Sequence, residues 1–342
     1  MANIRSSSPS IGASDSHRRR VLRVAMSALA VTAPWLCSPS AWAAPAPVFE
    51  GRDGWLFPEW ESTSVLEKNQ IDANISLLQQ AKDLFASQGI EMVFVVVPTK
   101  AVFYPDRLPS DHAVSPEIKG RYAYIVKSMA QAGMKTPDLL PVLRAIEQGR
   151  QSVFYRTDYH WTSMGAEAAA TATAQAILQG PALPGKNGTG AKLGEWVNER
   201  HFGDLATRYL AADRRAAIGR DVFRVRLPPA GNASLFDDDP APVHVMGNSF
   251  VQPYWGFSQK LSNLIDRPVS LSWNAGNVGQ WVIALNYAES KDFAESRPKV
   301  IVWQMNEAQI QIGPNVTGLW DVQGLMPPQA WLARLKAAVD KK

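Results

Sequence analysis

Apolar positions along the chain follow two kinds of pattern. Between residues 71 and 87, Ile71, Ile75, Leu77, Leu78, Ala81, Leu84 and Phe85 recur at helical spacing and predict an amphipathic helix. Residues 92–97 form instead an unbroken apolar run, mostly β-branched and closed by Pro98, as in a strand covered on both faces. The same reading predicts helices over 121–132 and 139–148, a short strand at 151–155, and an Ala-rich helix over 163–178. After a loop dense in Gly and Pro at 180–194, residues 222–227 alternate as a strand and 230–242 form a polar loop. A strand at 243–246 runs into Gly247-Asn248-Ser249-Phe250, followed by a helix through Ile265. A strand-like stretch at 269–273, a helix around 282–290, a strand at 300–304 and a helix near 330–339 complete the order. Near the start, Gly51 to Phe57 reads as an aromatic-tipped turn at a hairpin edge. Strands alternating with helices predict an α/β layered domain with a mostly parallel sheet.

Charge changes the picture at one end only. The 342 residues carry 35 Lys+Arg against 31 Asp+Glu, a net +4. Arg18-Arg19-Arg20 and Arg23 precede an apolar run at 24–36, too short for an ordinary membrane span of about 20 residues. Ser40-Ala41-Trp42-Ala43-Ala44 then fits A-x-A cleavage after Ala43. Residues 1–43 therefore read as a secretory signal peptide; the arginine string also resembles a twin-arginine signal, and an uncleaved membrane anchor is the alternative. Without this segment 30 of the 35 basic and 30 of the 31 acidic residues remain, so the working chain is neutral and no nucleic-acid partner is expected. Cys37, the single cysteine, leaves with the signal, and a cysteine-free exported chain is expected in the periplasm. Residues 44–342 are expected to form one catalytic domain, which keeps ten of the twelve tryptophans.

Two short motifs carry candidate chemistry. Ser249 lies in a tight turn between a buried strand and a helix, where open α/β sheets place their sites. Gly247 lets the chain turn sharply, and a helix N-terminus behind Ser249 would offer N–H groups to a developing oxyanion. The alternative is that Ser249 only caps that helix. Asp158 and His160, one residue apart where a strand passes into a helix, form the second motif. A serine hydroxyl is a poor nucleophile until an imidazole takes its proton, and the imidazole needs a carboxylate to fix its tautomer. Together the motifs point to serine hydrolase or acyltransferase chemistry. The loop from Asn274 to Gly279 is able to bring Gly276 and Asn277 to an oxyanion, beside the Ser249 N–H. No metal site is expected: His201 and Glu199 lack ligand spacing relative to His160, and Asp237-Asp238-Asp239 reads as a solvated loop. No cofactor is expected either.

An ordered set of motifs resembles the SGNH-hydrolase-like family of alginate O-acetyltransferases, the AlgJ/AlgX type, and its relatives in acetylated-cellulose systems. The matching pieces are Gly51-Arg52-Asp53-Gly54-Trp55-Leu56-Phe57, then Val97-Pro98-Thr99-Lys100 with Tyr104, and Thr157-Asp158-Tyr159-His160-Trp161-Thr162 with Gly165. They continue with Gly247-Asn248-Ser249-Phe250 and a Val302-Trp303 strand ending at Glu307. The resemblance implies an SGNH-like three-layer α/β/α sandwich, permuted so that Asp158 and His160 precede Ser249. It implies Ser249 as nucleophile, His160 as general base and then acid, and Asp158 as its orienter. The acetyl group would come from a membrane-bound acyltransferase and pass through Ser249 to an exopolysaccharide hydroxyl. Trp161, Tyr254 and Trp255 become candidates for a pyranose-stacking platform, with Trp303 also to be inspected for sugar contact. Ala308 follows Glu307 where an Arg is more usual, so an acidic–basic pair is expected to be missing there. An acetylesterase with the same triad, and a non-catalytic glycan-binding subunit, are the competing readings.

Overall fold

Four strands meet edge to edge in the centre of the molecule, and the chain supplies them in an order that leaves the last in the middle. A computed structural model describes residues 47–228, 240–317, 321 and 324–341; the expected signal peptide and Asp237-Asp238-Asp239 lie outside these. A hairpin of β1 (Val48–Glu50) and β2 (Leu56–Pro58) opens the described chain. Helix α1 (Lys68–Ser87) leads to β3 (Glu91–Val97), and α2 (Lys100–Phe103), α3 (Pro116–Gln131), α4 (Leu140–Gln148) and α5 (Ser163–Leu178) follow. Next come β4 (Trp196–His201), the short α6 (Asp204–Tyr209) and α7 (Ala212–Ile218), and β5 (Asp221–Arg226). The remaining elements are β6 (Val243–Gly247), α8 (Phe257–Ile265), β7 (Val269–Trp273), α9 (Gln280–Ala288) and α10 (Lys291–Glu295). Strand β8 (Val300–Asn306), α11 (Glu307–Ile310) and α12 (Pro328–Val339) close the list.

The central sheet runs β3-β8-β6-β7, parallel throughout. Strands β8 and β6 are buried at every position and β3 at all but its first, which is why their sequences are continuous rather than alternating. Helices α1, α3, α9 and α12 pack among themselves on one side, and α4, α5 and α8 on the other, with the sheet touched by both groups. The patterning predicted the layered α/β domain with a parallel sheet, and the family resemblance implied the α/β/α sandwich seen here. Its core holds four fully buried tryptophans, Trp161, Trp281, Trp303 and Trp331. Three of them spend the indole N–H on a backbone carbonyl: Trp161 on Phe250, Trp281 on Ile312 and Trp331 on Trp281.

Several elements differ from expectation. The strand expected at 151–155 is only an isolated bridge between Phe154 and Trp161. The helix expected directly after Ser249 begins at Phe257, because two single 3₁₀ turns, Ser249–Val251 and Pro253–Trp255, come first. Pro253 removes an N–H and Gly256 sits at φ 83°, a left-handed conformation that glycine alone adopts freely. A polar strand, β4, pairs antiparallel with β5 from Trp196 opposite Arg226 to His201 opposite Asp221.

The expectation that Glu307 lacks a basic partner is also wrong. Its partner is Arg121 of α3, with Arg121 Nε 2.7 Å from Glu307 Oε1 and both side chains fully buried. The other oxygen accepts from the Thr99 N–H at 2.9 Å and from its hydroxyl at 3.2 Å. Three segments thereby converge on one carboxylate: the end of β3, the end of β8 and a helix in front of them. A buried pair of this kind is far more costly to break than to replace, since removing one partner strands the other charge. Arg121→Ala is expected to cost about 3–5 kcal/mol in urea unfolding, and Arg121→Met with Glu307→Gln clearly less. Equal losses for the two variants would show that the stranded charge is not the cause.

Candidate active site

The turn that carries Ser249 is built by its neighbours. Gly247 ends β6 where Gln304 of β8 crosses closely: a Cβ there would lie 2.6 Å from Gln304 Oε1 and 2.9 Å from Gln304 Cβ. The same Gln304 oxygen accepts the Asn248 N–H at 3.0 Å. Asn248, not Ser249, caps the turn, its Oδ1 accepting from the Phe250 N–H at 3.0 Å. Its amide nitrogen donates to Asn306 Oδ1 and Gln309 Oε1, each at 3.2 Å. With capping done next door, the Ser249 hydroxyl is left for another partner. That partner is His160, whose Nε2 lies 2.7 Å from Ser249 Oγ.

His160 is held from behind in the same way. Its Nδ1 is 2.7 Å from Asp158 Oδ1, and its backbone N–H donates to that oxygen at 2.8 Å. The one-residue spacing lets a single carboxylate oxygen fix both the ring and the backbone of the histidine. The second oxygen, Oδ2, accepts the Asp204 N–H at 2.8 Å. Burial works to raise the Asp158 carboxyl, but the bond to His160 and the imidazole beside it bring it down to about 2. The loop is fastened further by Thr157, whose N–H and hydroxyl both donate to Asp221 Oδ2 at 2.7 and 2.8 Å. Trp255 covers the other flank: its ring stacks on His160 at 5.1 Å, and its indole N–H donates to the Ser249 carbonyl at 3.0 Å. Ser249, His160 and Asp158 therefore form one hydrogen-bonded chain at the carboxyl edge of the sheet.

Asp204 is a site residue that the sequence reading missed. It opens α6, its Oδ1 accepts the Tyr159 N–H at 2.8 Å, and its Oδ2 lies 3.8 Å from His160 Nδ1. Burial and the neighbouring Asp158 charge push its carboxyl up to about 6. Asp158, His160 and Asp204 bring ligand-type atoms within 4.8 Å of one another. Both nitrogens of His160 are nevertheless committed, one to Asp158 and one to Ser249. The only early hint of Asp204 is an acid after a glycine, Gly203-Asp204, at a helix start.

The other expected site residues divide sharply. Trp161 is fully buried against Phe257 and Trp303 is buried beside Phe94, so neither faces a ligand. Trp255 is 3% exposed and supports His160 rather than standing as an open platform. Tyr254 is 37% exposed; its hydroxyl donates to Glu199 Oε2 at 2.7 Å and lies 3.1 Å from His201 Nε2. Gly276 and Asn277, the expected oxyanion donors, lie in a single 3₁₀ turn after β7, where Asn277 gives its side-chain amide to Asp321 at 2.7 Å. A cavity of about 490 Å³ opens beside the loop that carries His160, lined by Arg150, Tyr155, Arg156, Thr162, Asp221 and Arg224 among others, but neither Ser249 nor His160 is in its wall. Among the described residues no helix is long and apolar enough to cross a membrane.

A family model described as an SGNH hydrolase-like domain, acetyltransferase AlgX, matches residues 48–307. The chain belongs to this family. A probable alginate O-acetylase AlgJ of Pseudomonas syringae pv. tomato is 30% identical over 307 residues, 85% of this chain and 74% of that protein. A protein of the same name from Pseudomonas fluorescens is 29% identical over 84% of this chain and 72% of its own. Among solved structures, the O-acetyltransferase domain of Pseudomonas putida AlgJ superposes with a TM-score of 0.69 at 27% identity, covering 86% of this chain and 99% of that one. Pseudomonas aeruginosa AlgX, at 19% identity and a TM-score of 0.57, covers 86% of this chain and 67% of its own and shares the fold.

Behind the triad, Tyr159 donates its hydroxyl proton to Glu61 Oε1 at 2.8 Å and accepts from Asn306 at 2.7 Å. Burial pushes Glu61 up to about 7, against the lowering effects of Tyr159 and Arg121. The folded protein thus keeps a proton that the unfolded chain releases near 4.5. That contribution to stability is complete below the unfolded value and is lost as pH rises through the folded one. Glu61→Gln keeps the acceptor for Tyr159 and is expected to gain stability over the wild type, by on the order of 1–3 kcal/mol, between about pH 5 and about pH 8. Denaturant unfolding at both pH values measures this; a constant difference would mean that Glu61 is ionised throughout.

Proposed function

We propose that the protein is a periplasmic O-acetyltransferase that carries acetyl through Ser249 onto hydroxyl groups of an exopolysaccharide. The observation that carries this reading is the hydrogen-bonded chain Ser249–His160–Asp158. In the first half-reaction Ser249 Oγ attacks the acetyl carbonyl and its proton passes to His160 Nε2. Asp158 stabilises the imidazolium that results. Among the described residues the Ser249 N–H has no acceptor, so it is free to bind the oxyanion. Collapse expels the donor's alcohol, which takes the proton from His160, and leaves an acetyl ester on Ser249. In the second half a sugar hydroxyl gives its proton to His160, attacks that ester and restores the free serine.

The acceptor is read from the company the chain keeps. Relatives named alginate O-acetylases favour a polyuronate of the alginate type, with cellulose or another exopolysaccharide as the alternative. Tyr254, five residues after the nucleophile and held upright by Glu199 and His201, supports a sugar ring at the rim. Residues 1–43 act as the export signal in this reading and 44–342 as one catalytic domain. A membrane-bound acyltransferase delivers the acetyl group. A hydrolase would use the same triad with water as acceptor; the names of the relatives favour transfer.

Incubation with an acetyl ester and either oligouronates or cello-oligosaccharides, followed by mass spectrometry, tests the reading. Acetylated sugar is expected; free acetate alone would make the protein an esterase. Ser249→Ala and His160→Ala are each expected to lower turnover by at least about two to three orders of magnitude. Unchanged turnover in Ser249→Ala would point to a non-catalytic glycan-binding subunit.

A further inference from the structure

The side chain of Lys100 is 1% exposed, yet it ends in a charged group with no carboxylate bonded to it. Its Nζ donates instead to three backbone carbonyls: Leu56 at 2.7 Å, Asp158 at 2.9 Å and Arg156 at 3.0 Å. The rings of Trp55 and Phe57 close over it at 5.2 and 5.3 Å. An ammonium has three protons and no lone pair, so three acceptors satisfy it fully. A neutral amine has two protons and a lone pair, and its third carbonyl would face that lone pair. Two of the three acceptors belong to the catalytic loop, on either side of Thr157, and one is the carbonyl of Asp158 itself. The third belongs to β2 in the opening hairpin, which Arg156 also holds through the Leu56 N–H to its own carbonyl at 2.9 Å.

We propose that Lys100 is a positioning residue: as a cation it clamps the carbonyls of Arg156 and Asp158 to the opening hairpin and so aims His160 at Ser249. It touches no reacting atom and acts only through the peptide that carries Asp158. The proposal rests on the acyl-enzyme reading above. The charged groups around it are consistent with a retained cation: Asp158, Asp221, Asp204 and Glu61 all favour the ammonium. The guanidinium of Arg156 is spent on Asp221 and on the carbonyls of Asp53, Ile218 and Gly219. Burial outweighs the four carboxylates and brings Lys100 down to about 7. The clamp is therefore complete below neutrality and is lost as pH rises above it.

The test is the pH profile of acetyl-ester hydrolysis, with p-nitrophenyl acetate, by the wild type, Lys100→Met and Lys100→Arg, with Ser249→Ala as control. The wild type should show an alkaline fall in kcat that Lys100→Met lacks. Lys100→Met should lose about 10- to 100-fold in kcat at neutral pH with KM changed less than about twofold. Lys100→Arg, which keeps a cation, should recover part of the loss and stay active at alkaline pH. Wild-type kcat in a folded Lys100→Met, or the same alkaline limb in both proteins, overturns the proposal. Should Lys100→Met fail to fold, NMR of lysine-labelled wild type decides: one lysine must titrate in step with the alkaline fall, and no such coincidence overturns the clamp. Full activity in Ser249→Ala would instead remove the acyl-enzyme reading on which this one stands.

Discussion

His160 and Ser249 lie 89 residues apart in the chain and must meet at 2.7 Å, and the arrangement around the site serves that one contact. The serine is brought in by a central strand whose end is fixed by Gln304 and Asn306 from its neighbour. The histidine rides on a loop, the least rigid kind of segment. What gives the loop the precision of a strand is the density of bonds behind it. Asp221 takes both donors of Thr157, Asp204 takes the Tyr159 N–H, and Lys100 takes the carbonyls on either side of Thr157. Each of these partners comes from a different part of the chain. The loop is thus anchored from several directions, so that no single hinge remains to let the imidazole drift.

The same region concentrates buried charge. Glu61, Asp158, Asp221, Glu307, Lys100 and Arg121 are all buried close to the carboxyl edge, where an ordinary core would be apolar. Low-dielectric surroundings make each of these groups costly when unpaired and strong when paired. The pairing is correspondingly thorough for Glu307, Asp158 and Lys100, and it is incomplete for Glu61, one of whose oxygens has no partner among the described residues. Burial accordingly pushes Glu61 up to about 7, in spite of Tyr159 and Arg121 beside it.

The layered fold and the two motifs that meet at Ser249 and His160 were legible in the sequence because each rests on local signals. Continuous β-branched runs mark strands covered on both faces, and the two triad motifs each sit at a strand-to-loop junction. The supporting residues were not legible, for the opposite reason. Lys100 entered only as part of a matching motif with no role attached, Arg121 and Asp204 look like ordinary surface charges, and β4 reads as Trp-Val-Asn-Glu-Arg-His with no apolar period. The aromatic predictions failed in an instructive way. Proximity in sequence to Ser249 and His160 placed Trp161 and Trp255 near the site, but an indole there is worth more as packing than as open surface, and only Tyr254 stayed exposed. The expected gap at Ala308 misled because an ion pair needs neighbours in space, and Arg121 is 186 residues from Glu307.

The strand order carries a consequence for how the molecule comes into being. β8 pairs with β3 on one side and β6 on the other, so the sheet has no continuous middle until residues 300–306 are available. A chain emerging N-terminus first from a ribosome or a membrane pore holds β3 as one fragment and β6 with β7 as another, with nothing between them. Contacts of such long sequence separation form late and slowly. Synthesis or translocation must therefore be nearly finished before the two halves can be joined, and any chain cut short of Asn306 would expose two apolar strand edges instead of an enzyme.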